Sequence, residues 1–479
     1  MTSGLAKISF YWLGSKLQKN AGESTTNRKE KTMPSIQAFH GIRYDLGHVG
    51  ALSDVIAPPY DVIDEAMQTE LYEKHPANAV RLILNRQEPG DSGDEKYQRA
   101  ANFLKNWRRE GLLQTEAQAA IYCYTQTFTW EGEEFTRTGF MSRVKLEPFG
   151  TGKIYPHEET HSAAKADRLK LISNCKANLS QIFGVFPDDS NDVSNLLKRV
   201  TADSAPLEAT DHLGVVHRMW PVIDVQTITE LQAIMDPKPT YVADGHHRYE
   251  TACNYHAALA ENGDLPDDHA SNYVLMMNIG MSDPGMIVLP THRLFRGLPE
   301  LTSDELVAKI GECFDTRIAG EGSDLAAMIW EEIATENEQG TLGLFTSKDE
   351  RWVVARINDA GRAKMAELAS DRSEDWQGLG VSILHRLLME NLLDANDLPK
   401  PMYVHSVDEV ISGLDEGDTA GRDATGQQGQ GGSFPLAALV MPATLDHVRK
   451  ISEHGERMPA KSTYFFPKLL SGLVFNPVD

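Results

Sequence analysis

The chain has 479 residues, 41% of them hydrophobic and 24% charged, with a formal net charge of −23. That length is enough for two or three domains or lobes, and the composition fits a folded globular protein while excluding wholesale disorder. So acidic a surface argues against a nucleic-acid partner, because a phosphate backbone is held by a basic footprint, but it does not exclude a small anionic ligand in a locally basic pocket.

No run of 18 or more apolar residues occurs, so no membrane-spanning helix is expected. Cys123, Cys175, Cys253 and Cys313 are widely spaced and form no C-x-x-C pair, which points to a reduced, cytoplasmic setting without a structural zinc. The first residues lack the basic region and cleavage site of a signal peptide. Residues 1–32, with "GSKLQKNAGESTTNRKEKT" at their end, read as a disordered leader, and the folded chain is expected to begin near Met33.

From there "SIQAFHGIRYD" reads as a strand. "VIAPPYDVI" follows as a rigid loop, because Pro58-Pro59 fixes an extended backbone that cannot sit in a central strand. That loop presents Tyr60 and Asp61, either as a structural turn or as part of a site. "DEKYQRAANFLKNWRREG" places Tyr97, Ala100, Leu104 and Trp107 at helical spacing and predicts an amphipathic helix. "AIYCYTQTFTW" and "FTRTGFMSRVKL" flank the short polar "EGEE" and predict a β-hairpin.

"PHEETHSAAKADRL" then contains His157-Glu158-Glu159-Thr160-His161, which matches the H-E-x-x-H pattern of zinc proteases. Pro156 suits a first helical turn and not the interior of a zinc-binding helix, and neither the metzincin extension nor a downstream glutamate ligand follows. Zinc is therefore not expected, although a zinc hydrolase remains the third alternative. "DRLKLISNCKANLSQIFGVF" predicts a helix leading to a strand, on which Lys165, Asp167 and Arg168 either pair locally or reach a ligand.

"TYVADGHHRYETACNYHAALAENG" predicts a strand, a sharp turn at Asp244-Gly245 and a helix opening at His246-His247-Arg248. Exposed N–H groups at such a helix start, an arginine fork and two imidazoles make an anion cradle. "LPTHRLF" places His292 and Arg293 just after the apolar "MIVLP", where polar residues form either a site or an ion pair. Residues 413–433 are rich in Gly, Gln and Asp and read as a flexible loop. The closing "MPAKSTYFFPKLLSGLVF" is apolar and aromatic, so it should be tied into the core, carrying Lys461, Ser462, Thr463 and Lys468 with it.

"DGHHR" at a strand-to-helix turn resembles the signature of the ParB/sulfiredoxin-like fold, in which this turn holds nucleotide phosphates. The free-serine kinases of that superfamily carry a proline-His-Glu motif upstream, as this chain does, here with His157 and His246 lying 89 positions apart, a spacing that implies an insertion. From "SIQAFHGIRY" through "IAPPYDVI", "LPTHRLF" and "KSTYFFPKLLSGL", the chain also resembles the bacterial and archaeal family of domain of unknown function 1015 over residues 33–479.

These resemblances imply an α+β fold: mixed sheets with helices, a ParB/sulfiredoxin-like core at 151–290, and further α/β segments at 33–150 and 291–479. They imply phosphoryl transfer between a nucleotide, ADP or ATP with Mg²⁺, and a small hydroxyl metabolite, serine or phosphoserine above all. Glu158 would be the general base, flanked by His157 and His161 and helped by His247. Asp244, Gly245, His246, His247 and Arg248 would hold phosphates, with Lys461, Ser462 and Thr463 adding to them. Thr160, Arg168, Tyr60, Asp61, His292, Arg293 and Lys468 would complete the substrate side. The other class left open is a non-catalytic nucleotide-binding regulatory module.

Overall fold

Two short strands decide where the two histidine motifs meet. Ile154–Pro156 and Thr240–Asp244 pair in parallel, with Pro156 opposite Val242, so His157 and Asp244 leave the sheet side by side in the same direction. Aromatic and β-branched residues favour this pairing. The Tyr155 and Tyr241 rings stack across it at 5.3 Å, and Val242 is buried.

A computed structural model describes residues 35–263, 265–417 and 432–479; the expected leader and residues 418–431 of the expected loop lie outside them. The pair above forms one edge of a nine-stranded sheet. Continuing inward, the order is Ile182–Phe186, Tyr273–Gly280, Glu133–Lys145, Ile121–Trp130, Val216–Val222 and Leu207–Thr210, with Ile36–Gln37 also pairing Glu133–Lys145. Parallel and antiparallel pairs both occur, and helices cover the sheet, so the class is α+β with mixed sheets, as expected.

The predicted hairpin is present, with Trp130 opposite Glu133. Alternation along Ile121–Trp130 sends Tyr122 and Tyr124 into one core and Ile121 and Cys123 into the other, because successive strand side chains point to opposite faces. The predicted helix runs Glu95–Arg109 and buries the four expected residues, Tyr97, Ala100, Leu104 and Trp107. The strand read at "SIQAFHGIRYD" is instead two, Ile36–Gln37 and Ile42–Tyr44. Gly41 lies between them because its backbone presses against Tyr122, whose hydroxyl accepts the Gly41 N–H at 3.1 Å and leaves no room for a Cβ.

Residues beyond 290 build a second sheet of six strands, all antiparallel, in the order Phe314–Glu321, Arg351–Ile357, Thr341–Thr346, Leu436–Val440, His292–Phe295, Met402–Val404. His292 and Arg293 follow the apolar strand Ile287–Leu289, as expected, and themselves open the next strand, His292–Phe295, where both are buried. Residues 413–416, read as part of a loop, close the helix Val407–Glu416, which Ser406 and Glu409 start with a reciprocal capping box.

The C-terminal segment is tied into the core, as its apolar composition requires, through short pairings outside the nine-stranded sheet and through bonds from Arg137 and Arg143 of that sheet to Phe466 and Asn476. Tyr464–Phe466 pairs with Ile287–Leu289, Asn476–Pro477 with Ala177–Asn178, and Phe475 bridges Ile42. Among the described residues no helix is long and apolar enough to cross a membrane, and all four cysteines are free.

Candidate active site

Pro156 ends its strand and the chain runs on without helical structure to His161, which caps the helix Ser162–Cys175. The zinc-protease arrangement, with both histidines on one helical face, is therefore not formed. Tertiary hydrogen bonds hold the segment extended instead. The His157 carbonyl accepts from Met458 N at 2.8 Å, and the Glu158 carboxylate accepts from Lys461 N at 3.3 Å. Among the described residues no group of three or more His, Cys, Asp or Glu side chains could hold a metal ion.

The two motifs are stitched together histidine to histidine. His157 N–H donates to Nε2 of His246 at 3.2 Å, and His161 N–H donates to Nε2 of His247 at 2.9 Å. An accepting Nε2 leaves the proton of a neutral imidazole on Nδ1. His246 therefore turns an Nδ1–H toward Glu158, whose Oε2 lies 3.7 Å away. That Nδ1 is buried and has no hydrogen-bond partner. Burial, reinforced by the neighbouring His157, drives His246 well below the usual histidine range. Desolvation also lowers His157 and His247, with Glu158 opposing it in both, so all three stay neutral at pH 7.

His157 is oriented the other way round. Its Nδ1 donates to the Val242 carbonyl at 2.8 Å, which leaves Nε2 as an acceptor 3.0 Å from the Thr463 hydroxyl.

Gly245 makes the turn, at φ 91°, in the left-handed region that residues with a Cβ enter at a cost. The 15-residue helix His246–Ala260 starts directly after it with no side chain capping its amides. Arg248 folds back over this start: Nη1 donates to the Gln181 carbonyl and Nη2 to Asp244 at 3.1 Å. Asp244 also faces Lys468 Nζ at 3.7 Å. Burial works to raise the Asp244 carboxyl, but Lys468, Arg248 and Lys461 outweigh it and hold the group ionised.

The returning C-terminal segment closes the cleft. Lys461 is exposed, with a left-handed backbone at φ 58°. Desolvation lowers its ammonium, yet the carboxylates of Glu158, Asp61 and Asp244 more than offset that and raise it. Lys468 Nζ lies over the Tyr464 ring at 4.3 Å, and Tyr464 stacks on His405 at 3.6 Å. Asp61 joins the cluster with an Oδ1 that is buried and unpartnered.

Other expected residues stand further from the centre. Thr160 and Lys165 both bond the Glu250 carboxylate, at 2.6 and 2.7 Å. Arg168 is nearly buried, pairs with its neighbour Asp167, donates to the Ile83 carbonyl at 2.8 Å and lies over the Tyr60 ring at 4.0 Å. Tyr60, Arg168 and Arg248 line a cavity of about 50 Å³ behind the helix start. Ser462 is buried and its hydroxyl donates to the Pro459 carbonyl. His292 stays apart, edge-on to Trp330 at 4.8 Å. Arg293 reaches the site with Nη2 donating to the Lys461 carbonyl at 2.9 Å, and its guanidinium lies over the Tyr403 ring.

Sequence reading missed Tyr403 and His405. Tyr403 lies in the strand Met402–Val404 with the Arg293 guanidinium 5.6 Å from its ring, and burial raises its phenol. No local signal marks either residue: both belong to the edge of the second sheet, and only the packing of that edge brings them here.

Among curated proteins no relative matches this chain. Solved structures that resemble it include a free serine kinase in complex with ADP, at TM-score 0.31 and 10% identity, covering 65% of this chain and 84% of that one. A conserved hypothetical protein from Pyrococcus furiosus scores 0.30 at 10% identity, covering 66% and 89%. SbnI from Staphylococcus aureus, truncated at its C-terminus, scores 0.30 at 10% identity, covering 69% and 85%. The family model described as a protein of unknown function, DUF1015, matches residues 36–382, most of the chain and both histidine motifs, and the chain belongs to that family.

Proposed function

We propose that this protein transfers a phosphoryl group between a nucleotide and a small hydroxyl metabolite, with serine or phosphoserine the best-fitting pair. The observation that carries the reading is the His246 Nδ1–H, buried without a partner at an uncapped helix start and 3.7 Å from the Glu158 carboxylate. A buried donor left without a partner is costly and calls for a reason, which a bound ligand would supply. The free amides beside it suit an anion. Phosphoryl transfer asks mainly for positioning and charge neutralisation, and Lys461, Lys468, Arg248 and the helix start supply both.

In this reading Glu158 takes the proton of the attacking hydroxyl. Its carboxylate is held by the Lys461 N–H and remains a quarter exposed, so it can meet a substrate. Asp244 is itself an anion and would repel phosphate, so its part is to aim Arg248 and Lys468. Mg²⁺ would arrive on the nucleotide phosphates, and Asp61, whose Oδ1 lacks a partner, is a protein carboxylate that would hold it. Run in reverse, the same groups dephosphorylate, since the base for attack is the acid for departure.

The test is incubation of purified protein with ADP or ATP and a panel of hydroxyl amino acids, following phosphate transfer by mass. Transfer by the wild type that is lost in Glu158→Gln supports the enzyme. If both bind nucleotide and both are inert, the regulatory-module reading replaces it.

A further inference from the structure

The hydroxyl of Thr463 is the group in the cleft that the scheme above leaves unused, and it is the one best placed to react. Nucleophilic catalysis by a hydroxyl needs a base within hydrogen-bond reach and a third group that fixes the base's tautomer. Both are present. His157 Nε2 lies 3.0 Å from Thr463 Oγ1, and its Nδ1–H is spent on the Val242 carbonyl at 2.8 Å. A carbonyl can only accept, so the Nε2 lone pair faces the hydroxyl in the neutral ring. The imidazole is also locked in place: it is 1% exposed, with His246 edge-on at 4.7 Å and Phe465 at 6.4 Å.

The neighbouring hydroxyl shows the contrast. Ser462 is turned into the protein and donates to Pro459, whereas Thr463 is half-buried.

We infer that Thr463 is a nucleophile that carries the phosphoryl group between nucleotide and acceptor, with His157 as its base. This rests on the phosphoryl-transfer reading and adds a covalent step to it. In the first half, the Oγ1–P bond forms and the bond from the terminal phosphorus to its bridging oxygen breaks. The shortened nucleotide leaves, and the hydroxyl proton passes to His157 Nε2. The resulting imidazolium is held by the Val242 carbonyl and faces the Glu158 charge. In the second half the acceptor oxygen attacks the same phosphorus, its proton passes to Glu158, the P–Oγ1 bond breaks, and His157 returns its proton to Thr463. Two bases for two attacks explain why the cleft holds both His157 and Glu158.

Two readouts separate this from direct transfer and from a structural role for the Thr463–His157 bond. The first is label retained on the full chain from nucleotide labelled in its terminal phosphoryl, located by peptide mass. The second is exchange of the labelled shortened nucleotide back into the donor without any acceptor, ADP into ATP or AMP into ADP according to the donor used. Wild type should show both, Thr463→Ser should keep both, and Thr463→Val, nearly the same shape, should lose both. Glu158→Gln should keep label and exchange while losing net transfer. If the wild type moves phosphate to the acceptor with no exchange, and Thr463→Val transfers at the wild-type rate, the covalent step is overturned and direct transfer stands. Label at Thr463 that does not chase onto acceptor overturns it equally. A wild type with neither exchange nor transfer removes both proposals.

Discussion

Nε2 of His246 accepts the backbone N–H of His157 at 3.2 Å, across a separation of 89 residues. One bond thus fixes the tautomer of His246, aims its Nδ1–H at Glu158 and ties together the ends of two parallel strands. Removing the acceptor should leave a buried N–H unpaired, a loss of about 1–3 kcal/mol. His246→Ala is expected to lower stability by that amount in urea unfolding. His246→Gln, whose amide oxygen can accept the same bond, should recover part of it; equal losses in the two variants would contradict the role.

Stability should fall in mild acid. Burial lowers His157, His246 and His247, and pushes His292 and His385 to about 3. Between those folded values and the unfolded value of about 6.5, the unfolded chain binds more protons than the native one. The native state is therefore favoured above that window and loses stability as pH drops through it, by up to about 1.4 kcal/mol per pH unit for each histidine. Unfolding midpoints from pH 8 to pH 5 test the sign, and His385→Phe should flatten the slope.

Arg293 is a buried guanidinium with no carboxylate within ion-pair distance among the described residues, and its bonds go to the carbonyls of Thr291 and Lys461. Burial lowers it to about 10. Arg293→Ala should cost about 2–5 kcal/mol through the void and the orphaned carbonyls. Arg293→Met keeps the volume and should cost less, since an apolar side chain carries no desolvation penalty. Both should loosen Lys461, so nucleotide affinity by calorimetry is expected to fall in Arg293→Met even where its melting temperature is near that of the wild type.

Gly245 holds φ 91°, and a Cβ there would come within 2.9 Å of Arg248 Nη2. The arginine tip can shift, but the backbone cannot relax without moving the helix start. Gly245→Ala should cost about 1–2 kcal/mol from the left-handed conformation and weaken nucleotide binding as Arg248 is displaced. Unchanged affinity in a folded variant would mean that the turn does not contact the ligand.

Local pattern was enough wherever one segment buries its own face. The helix Glu95–Arg109 was legible because Tyr97, Ala100, Leu104 and Trp107 recur at helical spacing, and the hairpin because alternation and a polar turn leave few other solutions. The strand, turn and helix at "VADGHHR" were legible for the same reason. The strand end in "MIVLP" was legible in the same way, but the burial of His292 and Arg293 beyond it was not. Only the six-stranded sheet shows that a second strand, His292–Phe295, starts at these residues and carries both into the interior.

The sequence by itself determined the family, the α+β class, the two histidine motifs and the apolar C-terminal segment, since each is written in contiguous residues. Tertiary structure alone decided what "PHEETH" does. Its backbone and side-chain bonds go to His246, His247, Met458 and Lys461, partners 86 to 303 residues away in the bonds to His247 and Lys461. Those long-range bonds outweigh the helical pattern of five letters and pull the segment straight. The same packing sets Thr463 against His157 and His405 against Tyr464, contacts that no local period encodes because the residues share no element until the chain has folded.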